Sequence, residues 1–299
     1  MLSRLPALIE RWLPKGWMDL LRQVALFGGA YLAYRIIEGA VDNAGPAFVH
    51  ARDLISIERT LHIFVEPTLQ SWASGSHLVM VLATYLYINA QTTILIALLL
   101  YLYVAHNRSY YFVRNMAFVA MMIGLIGYAV FPTAPPRFVP NWGFVDTVSQ
   151  VTNTSPRNND IMKLFINPYA AVPSMHVAFA TMLGWTLVRL VKSWPARIWW
   201  ALWPVLIAFV TVITANHFLL DAVFGLLTAA IAAVVARRLA RMRPHVWALH
   251  PVTPGLALQP ASDVTLAAAP AGTAALASQA TAASGALASQ ATVAPAAVS

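Results

Sequence analysis

The chain has 299 residues, of which 59% are hydrophobic and only 10% are charged, and its formal net charge is +8. Soluble domains carry roughly 25% charged residues, so this composition excludes an ordinary soluble fold. It also argues against a nucleic-acid-binding protein, because the basic residues lie between apolar stretches rather than on one face.

The first elements in chain order are a basic lead-in and a membrane span. Residues 1–16 have no compact apolar core followed by a small-residue cleavage site, so we interpret them as a retained lead-in rather than a signal peptide. Residues 17–37 are apolar and long enough for the first span, since about 20 apolar residues cross a bilayer core.

An amphipathic segment follows at residues 41–76. It is too polar to cross a bilayer, and Trp72 is typical of a segment that lies at the membrane interface. Glu58 and Arg59 are adjacent in this segment and carry opposite charges, which predicts an interfacial ion pair rather than catalytic groups.

Five further spans are predicted at residues 77–104, 111–131, 173–190, 198–214 and 216–238. The second span of the chain is long enough to tilt or break, and Pro204 predicts a kink in the fifth. The fold class is therefore an all-α polytopic membrane protein, with six transmembrane helices and an interfacial helical segment between spans one and two.

The basic residues indicate how these spans are oriented. With the N-terminus inside, 13 of the 19 basic residues fall on the inner side and 6 on the outer side. Cytoplasmic loops carry the excess of lysine and arginine. We therefore expect a plasma-membrane protein with both termini in the cytoplasm and the polar loop 132–172 outside.

The composition changes after the last predicted span. The predicted tail is residues 244–299; after Pro251 it is mainly Ala, Ser, Thr, Gln and Pro, and residues 275–281 are repeated at 286–292. Such a segment has no large side chains to bury and is predicted to be disordered. The predicted organisation is a lead-in (1–16), a six-helix membrane catalytic domain (17–243) and this tail.

A histidine and an aspartate lie four residues apart at the start of the sixth span. On a helix this spacing would place His217 and Asp221 on one face. The carboxylate could then fix the imidazole tautomer and leave the other ring nitrogen as a nucleophile. A carboxylate inside a membrane is costly, which makes Asp221 a functional candidate. The structural alternative is a polar pair that holds two helices together.

The fourth span opens with Pro173-Ser174-Met175-His176. Ser174 is a good helix N-cap, and the free N–H groups of a first helical turn can bind a phosphate. The alternative is that Ser174 only caps the helix and that His176 is only an interfacial polar residue. Because both motifs open helices at the same membrane face, we expect His176 and His217 to meet.

Further cationic and polar residues could bind a phosphate or a lipid headgroup. Arg137 follows the third span, and its guanidinium has the planar fork of donors that suits a phosphate. The alternative is an arginine that snorkels to the headgroups. Arg35, Lys163 and Asn216 are further candidates for headgroup contact.

At these residues the chain resembles the type 2 phosphatidic acid phosphatase superfamily, whose three motifs are Lys-x6-Arg-Pro, Pro-Ser-Gly-His and Ser-Arg-x5-His-x3-Asp. Residues 173–176 look like the second motif, with Met175 in place of glycine, and residues 216–221 look like the end of the third. Arg137 looks like the arginine of the first motif. The resemblance covers about residues 30–240.

Two departures from the motifs indicate a branch of this superfamily. Val130 stands where the lysine of the first motif is expected, and Thr211 stands where the arginine of the third is expected. The pattern is closer to the inositol phosphorylceramide synthase-like branch, which keeps a His-His-Asp set while these cations are relaxed.

The resemblance implies that His217 attacks phosphorus, Asp221 orients it, and His176 acts as the acid and then the base. It also implies phosphate binding by Arg137, Ser174 and Met175, with no metal and no other cofactor. Our leading hypothesis is transfer of a phosphate or phospho-headgroup, such as inositol phosphate, between a membrane phospholipid and an alcohol acceptor. The alternatives are hydrolysis of a lipid phosphate or polyprenyl diphosphate by water, and a non-enzymatic transporter or scaffold.

Overall fold

A computed structural model describes residues 13–40, 44–152 and 167–243. All of them belong to a unit formed by residues 1–250, whereas residues 251–299 form a second unit outside these ranges. The expectations for Lys163 and for the tail at 244–299 therefore lie outside the described residues. Within the described ranges the chain is helical and has no strand, apart from one isolated bridge between Thr133 and Ala170.

The described residues form a series of α-helices. In chain order they are α1 (Gly16–Ala40), α2 (Ala44–Thr60), α3 (Glu66–Ser74), α4 (His77–Asn89), a π-helical turn (Ala90–Ile94), α5 (Leu95–Ala105), α6 (Asn107–Val130), α7 (Thr147–Thr152), α8 (Met175–Leu190), α9 (Trp194–Ile213) and α10 (Leu219–Met242). A short 3₁₀ turn (Pro136–Phe138) lies between α6 and α7.

Four helical segments are long and apolar enough to cross a membrane: His77–Ala105, Asn107–Val130, Trp194–Ile213 and Leu219–Met242. The pair α1 and α2 meets this criterion only together, as a bent pair, and α8 is a shorter apolar helix. The predicted all-helical fold agrees with the described residues, and these four helices support a polytopic membrane protein.

The predicted second span contains a break. The π-helical turn Ala90–Ile94 interrupts it between α4 and α5. A π turn lets a helix re-aim its side chains, and it is often found at functional sites. The predicted amphipathic segment 41–76 contains two helices, α2 and α3.

Helix α8 lies in the interior of the bundle, against α6, α9 and α10. Its close approach to neighbours depends on two glycines. A Cβ at Gly184 would lie 2.6 Å from Trp200 O, and a Cβ at Gly225 would lie 2.5 Å from Ser174 O. Glycine at these positions therefore allows α9 and the first part of α10 to pack closely against α8.

Candidate active site

His217 lies in a buried turn between α9 and α10. The N–H groups of Asn216 and His217 both donate to Thr211 O, at 3.0 and 3.2 Å. Ala215 adopts a positive φ of 51° in this turn. These contacts delay the start of α10 until Leu219, so Asn216 and His217 precede the helix.

The prediction that His217 and Asp221 share one face of a helix is therefore wrong, because His217 lies before the N-cap residue, Phe218. Asp221 is the third residue of α10, and its Oδ2 accepts a hydrogen bond from Phe218 N at 2.8 Å. The capping turn, rather than helical periodicity, brings the carboxylate next to the imidazole.

The environment of the His217 ring determines its tautomer. Nδ1 lies 3.0 Å from Ala171 O and 3.3 Å from Asp221 Oδ2. A carbonyl and a carboxylate can only accept, so Nδ1 carries the proton and donates to them. Nε2 is then the unprotonated nitrogen, with its lone pair available for chemistry.

The structure brings the second predicted histidine close to the first. His176 lies in the first turn of α8, and its ring stacks on Tyr87 with centroids 4.3 Å apart. The centroids of the His176 and His217 rings are 5.6 Å apart, and the ring planes are inclined by 63°. Both side chains line one cavity of about 220 Å³, so one bound group can contact both imidazoles.

Ser174 contributes to this geometry as the N-cap of α8. Its Oγ accepts from Val177 N at 3.5 Å, and its own N–H donates to Asp221 O at 3.1 Å. The second bond joins the start of α8 to the start of α10, and thus the His176 turn to the His217 turn. Ser174 is buried and is not among the cavity-lining residues, whereas the neighbouring Met175 lines the cavity.

Arg137 lines the cavity and is held by the same turn as His217. Its backbone N–H donates to Ala215 O at 3.0 Å, and its Nη1 donates to Asn216 Oδ1. Arg137 Nε lies 3.8 Å from Asp146 Oδ1. Asn216 is oriented in turn by its Nδ2, which donates to Thr214 Oγ1 at 2.8 Å. The predicted headgroup residue Asn216 thus positions the guanidinium.

Arg35 on α1 reaches the same cavity. Its Nη1 forms an ion pair with Glu38 Oε2 at 2.8 Å, and both residues line the cavity. The two positions where the superfamily motifs have a cation and this chain does not, Val130 and Thr211, do not line the cavity. Val130 is 74% exposed on the outside of the bundle, and Thr211 is buried behind the His217 turn.

Sequence reasoning missed two carboxylates that support this site. Glu58 Oε1 accepts from Leu220 N at 2.7 Å, and Glu66 Oε1 accepts from Leu219 N at 2.8 Å. Both side chains are 0% exposed. Helix N-termini leave their first N–H groups without intrahelical acceptors. Glu58 and Glu66 satisfy two of those groups and fix the first turn of α10.

The predicted ion pair between Glu58 and Arg59 is wrong. Arg59 is exposed, and its guanidinium lies over the ring of Trp142, 5.4 Å from the centroid. A sequence signal for Glu58 did exist, because it continues the buried stripe of Ala47, Ala51, Leu54 and Ile55 along α2. A carboxylate on such a stripe faces the protein interior.

Glu58 and Glu66 are buried neighbours. Burial and the adjacent Glu66 carboxyl group raise the pKa of Glu58, which lies outside the four candidate spans, to about 9. Glu58 Oε2 and Glu66 Oε2 are buried, and with both groups ionised neither oxygen has a hydrogen-bond partner among the described residues. A proton on Glu58, donated to Glu66, satisfies both oxygens.

Several polar residues on the cavity wall were also missed. The π-helical turn carries Gln91 and Thr92 to the lining, and Tyr87, Tyr128 and Asn167 contribute further polar groups. The turn has no recognisable sequence pattern, which explains why these residues were not singled out. In the part of the chain that the structure describes, no group of three or more His, Cys, Asp or Glu residues could hold a metal ion.

Comparison with known proteins places this site in a family. No curated protein and no solved structure matches the chain. A family model described as the PAP2 superfamily matches residues 52–235, which is more than half of the chain and includes His176, His217, Asp221 and Arg137. The chain belongs to the PAP2 superfamily, the type 2 phosphatidic acid phosphatases and their relatives.

Proposed function

We propose that this protein is a membrane phosphotransferase that moves a phospho-headgroup from a phospholipid to an alcohol, through a phosphohistidine. Membership of the PAP2 superfamily supports lipid phosphatase or phosphotransferase activity in general. The observation that carries the finer proposal is the pair of imidazoles, with ring centroids 5.6 Å apart, in one cavity.

The reaction proceeds in two displacements. His217 Nε2 attacks phosphorus, the P–N bond forms, and the bond to the lipid's leaving oxygen breaks while His176 gives that oxygen a proton. His176 then removes the proton of the acceptor hydroxyl. The acceptor oxygen attacks phosphorus, and the P–N bond breaks to release His217 with its lone pair restored.

Asp221 stabilises the charge that develops on His217 during this cycle. Its Oδ2 lies 3.3 Å from Nδ1, so the proton there remains held while Nε2 is phosphorylated. Arg137 and Arg35 both line the cavity, and their guanidinium groups would bind the phosphate oxygens. The N–H groups at the start of α8, at Met175 and His176, are suited to the same negative charge.

The charge balance of the cavity favours a phosphodiester substrate over a phosphomonoester. Arg35 is paired with Glu38 at 2.8 Å, and Arg137 lies 3.8 Å from Asp146. The two guanidinium charges are therefore offset by two carboxylates. A phosphomonoester carries about −1.5 to −2 at neutral pH, whereas a diester carries one negative charge and needs less compensation. Transfer of a headgroup, such as inositol phosphate, starts from a diester.

Hydrolysis of a lipid phosphate or polyprenyl diphosphate is the second candidate. The cavity of about 220 Å³ favours it, because a small cavity leaves little room for an acceptor beside the phosphate. The polar wall formed by Gln91, Thr92 and Glu38 favours transfer instead, since it offers hydrogen-bonding groups to a hydroxylated acceptor.

Purified protein with radiolabelled phospholipid, incubated with and without added inositol or another alcohol, distinguishes these candidates. Transfer predicts a new labelled product that depends on the acceptor. Release of a water-soluble phospho-headgroup or free phosphate, with no acceptor-dependent product, would refute the transfer reaction. The same assay with a phosphomonoester lipid tests the charge argument, which expects the diester to have the higher kcat/KM.

We further propose six spans, with α1 and the shorter α8 crossing in addition to the four candidate helices. Helices α2 and α3 then lie at the interface on the outer face, with the cavity. Trp72 on α3 is 64% exposed, which supports an interfacial position. Both termini lie in the cytoplasm of a plasma-membrane protein.

The absence of native cysteine makes this topology easy to test. A cysteine at the exposed Asn141, on the cavity side, should react with an impermeant maleimide in intact cells. A cysteine at the exposed Ser193, before α9 and at the other end of the bundle, should react only after permeabilisation. The reverse pattern would invert the orientation.

A further inference from the structure

A second cavity lies on the surface of the bundle, between α6, α8 and α10. Its volume is about 500 Å³, within the roughly 300–1,000 Å³ of ligand sites. Most of its wall is apolar, with Phe112, Met116, Met182, Trp185, Ala230 and Ala233 among the lining residues. We call it the α6–α8–α10 groove. Alanine side chains on α10 leave the space along its length open.

The groove opens at the end of the bundle away from the imidazoles. Arg237 lies 16 residues beyond Asp221 on α10, which at 1.5 Å per residue is roughly 24 Å along the helix axis. That distance is close to the thickness of a bilayer core, about 30 Å. The groove therefore belongs to the opposite membrane leaflet and has no part in the phosphoryl site.

Three arginines line one end of the groove: Arg237, Arg238 and Arg241. All three are exposed, and none forms an ion pair with a carboxylate among the residues that the structure describes. The chain beyond Arg241 contains a single acidic residue, Asp263. One carboxylate cannot balance three guanidinium groups, so the tail is a poor occupant and the anion must come from elsewhere.

We propose that the α6–α8–α10 groove binds one anionic phospholipid of the leaflet opposite the phosphoryl site. An acyl chain lies along Ala230 and Ala233, and the headgroup phosphate binds Arg237, Arg238 and Arg241. Charge complementarity supports this occupant, because three guanidinium groups at the mouth of an apolar groove match the arrangement of an anionic phosphate on acyl chains.

Native mass spectrometry of the full-length protein in detergent can test the site. The probes are phosphatidylglycerol and phosphatidylcholine with identical acyl chains, added in equal amounts. We expect one phosphatidylglycerol to be retained in preference to phosphatidylcholine. Each arginine near an anionic headgroup contributes roughly fivefold in affinity, so replacing all three by glutamine should weaken phosphatidylglycerol binding on the order of 100-fold.

The matched control removes three charges from the same end of the bundle but outside the groove, at Arg22, Arg108 and Lys192. These residues are exposed and are not in the groove lining. Their replacement by glutamine should leave the tight site intact. Equal loss in both triple variants would show a diffuse effect of net charge and would overturn the proposal.

A second variant tests the apolar part of the site. Ala230 is exposed, so Ala230→Trp fills the groove without disturbing the core. It should remove the retained lipid although all three arginines remain. Binding that survives Ala230→Trp, or a wild-type protein that retains neither lipid, would also overturn the proposal. If a second copy of the chain or the tail occupied the groove, the wild-type protein would retain neither lipid. A second copy would then be detected as a dimer, and the tail as a cross-link to Trp185.

Discussion

Replacing Glu58 with alanine tests whether the first turn of α10 positions His217 for chemistry. The side chain does not line the cavity, but its Oε1 accepts from Leu220 N at 2.7 Å. Alanine leaves that buried N–H without an acceptor, which costs about 1–3 kcal/mol of folding free energy. It also loosens the turn that holds Asp221 against the imidazole. Misplacing a catalytic group by about 1 Å can lower kcat on the order of 100-fold.

Three further variants separate positioning from stability. Glu58→Gln keeps an oxygen for Leu220 N–H and supplies an N–H to Glu66, as protonated Glu58 does, so it should retain most of the activity. Glu66→Ala should resemble Glu58→Ala, because Glu66 Oε1 accepts from Leu219 N at 2.8 Å. Asp53→Ala on the exposed side of α2 is the matched control and should be neutral.

The assay is headgroup transfer in detergent, measured well below the thermal midpoint of each variant, with kcat and KM determined separately. Positioning predicts that Glu58→Ala lowers kcat at least tenfold in protein that remains folded. A purely structural role predicts wild-type kcat whenever the variant is folded. Full turnover in folded Glu58→Ala, or equal damage in Glu58→Gln, would refute the reasoning.

The remaining predictions concern the two histidines, pH and helix packing. His217→Ala should form no phosphoenzyme. His176→Ala should lower turnover roughly 10²–10⁴-fold, and with a lipid that has a good leaving group it should accumulate labelled phosphate on His217. The amount of protein-bound label that is labile in acid and stable in base measures the phosphoenzyme in both variants. The pKa of Glu58 is raised in the folded state, to about 9, so its protonated form stabilises the fold. The free energy of unfolding should therefore fall as pH rises from about 5 to 9 in the wild type and less so in Glu58→Gln, as thermal unfolding across that range would show. Gly225→Ala would push a Cβ to 2.5 Å from Ser174 O and should lower the thermal midpoint, whereas Gly28→Ala, with open space around it, should not.

The features of this site that depend on residues close together in the chain could be predicted from the sequence. Serine before an apolar run predicts an N-cap, and Ser174 is the N-cap of α8. Polar motifs at the mouths of two apolar segments predicted that His176 and His217 would meet, and their rings are 5.6 Å apart. These features depend on residues near one another in the chain or on a shared depth in the bundle.

The features that sequence reasoning missed depend on contacts between distant residues. Glu58 and Leu220 are 162 positions apart, and no local pattern links a carboxylate on α2 to an N–H group on α10. The start of α10 was predicted too early, at residue 216, whereas the helix begins at Leu219. The N–H groups of Asn216 and His217 are instead taken by Thr211 O, so the helix begins after them.

The cavity also combines residues from inside and outside the family match. His176, His217, Asp221 and Arg137 lie within residues 52–235 and are the residues proposed to act in phosphoryl transfer. Arg35 and Glu38 lie on α1, before the matched region, and form part of the cavity wall. Because their charges are paired across 2.8 Å, the wall adds hydrogen-bonding groups without adding net charge. In the proposed function, that wall would select among neutral, hydroxylated acceptors, whereas the matched region would carry out the chemistry at phosphorus.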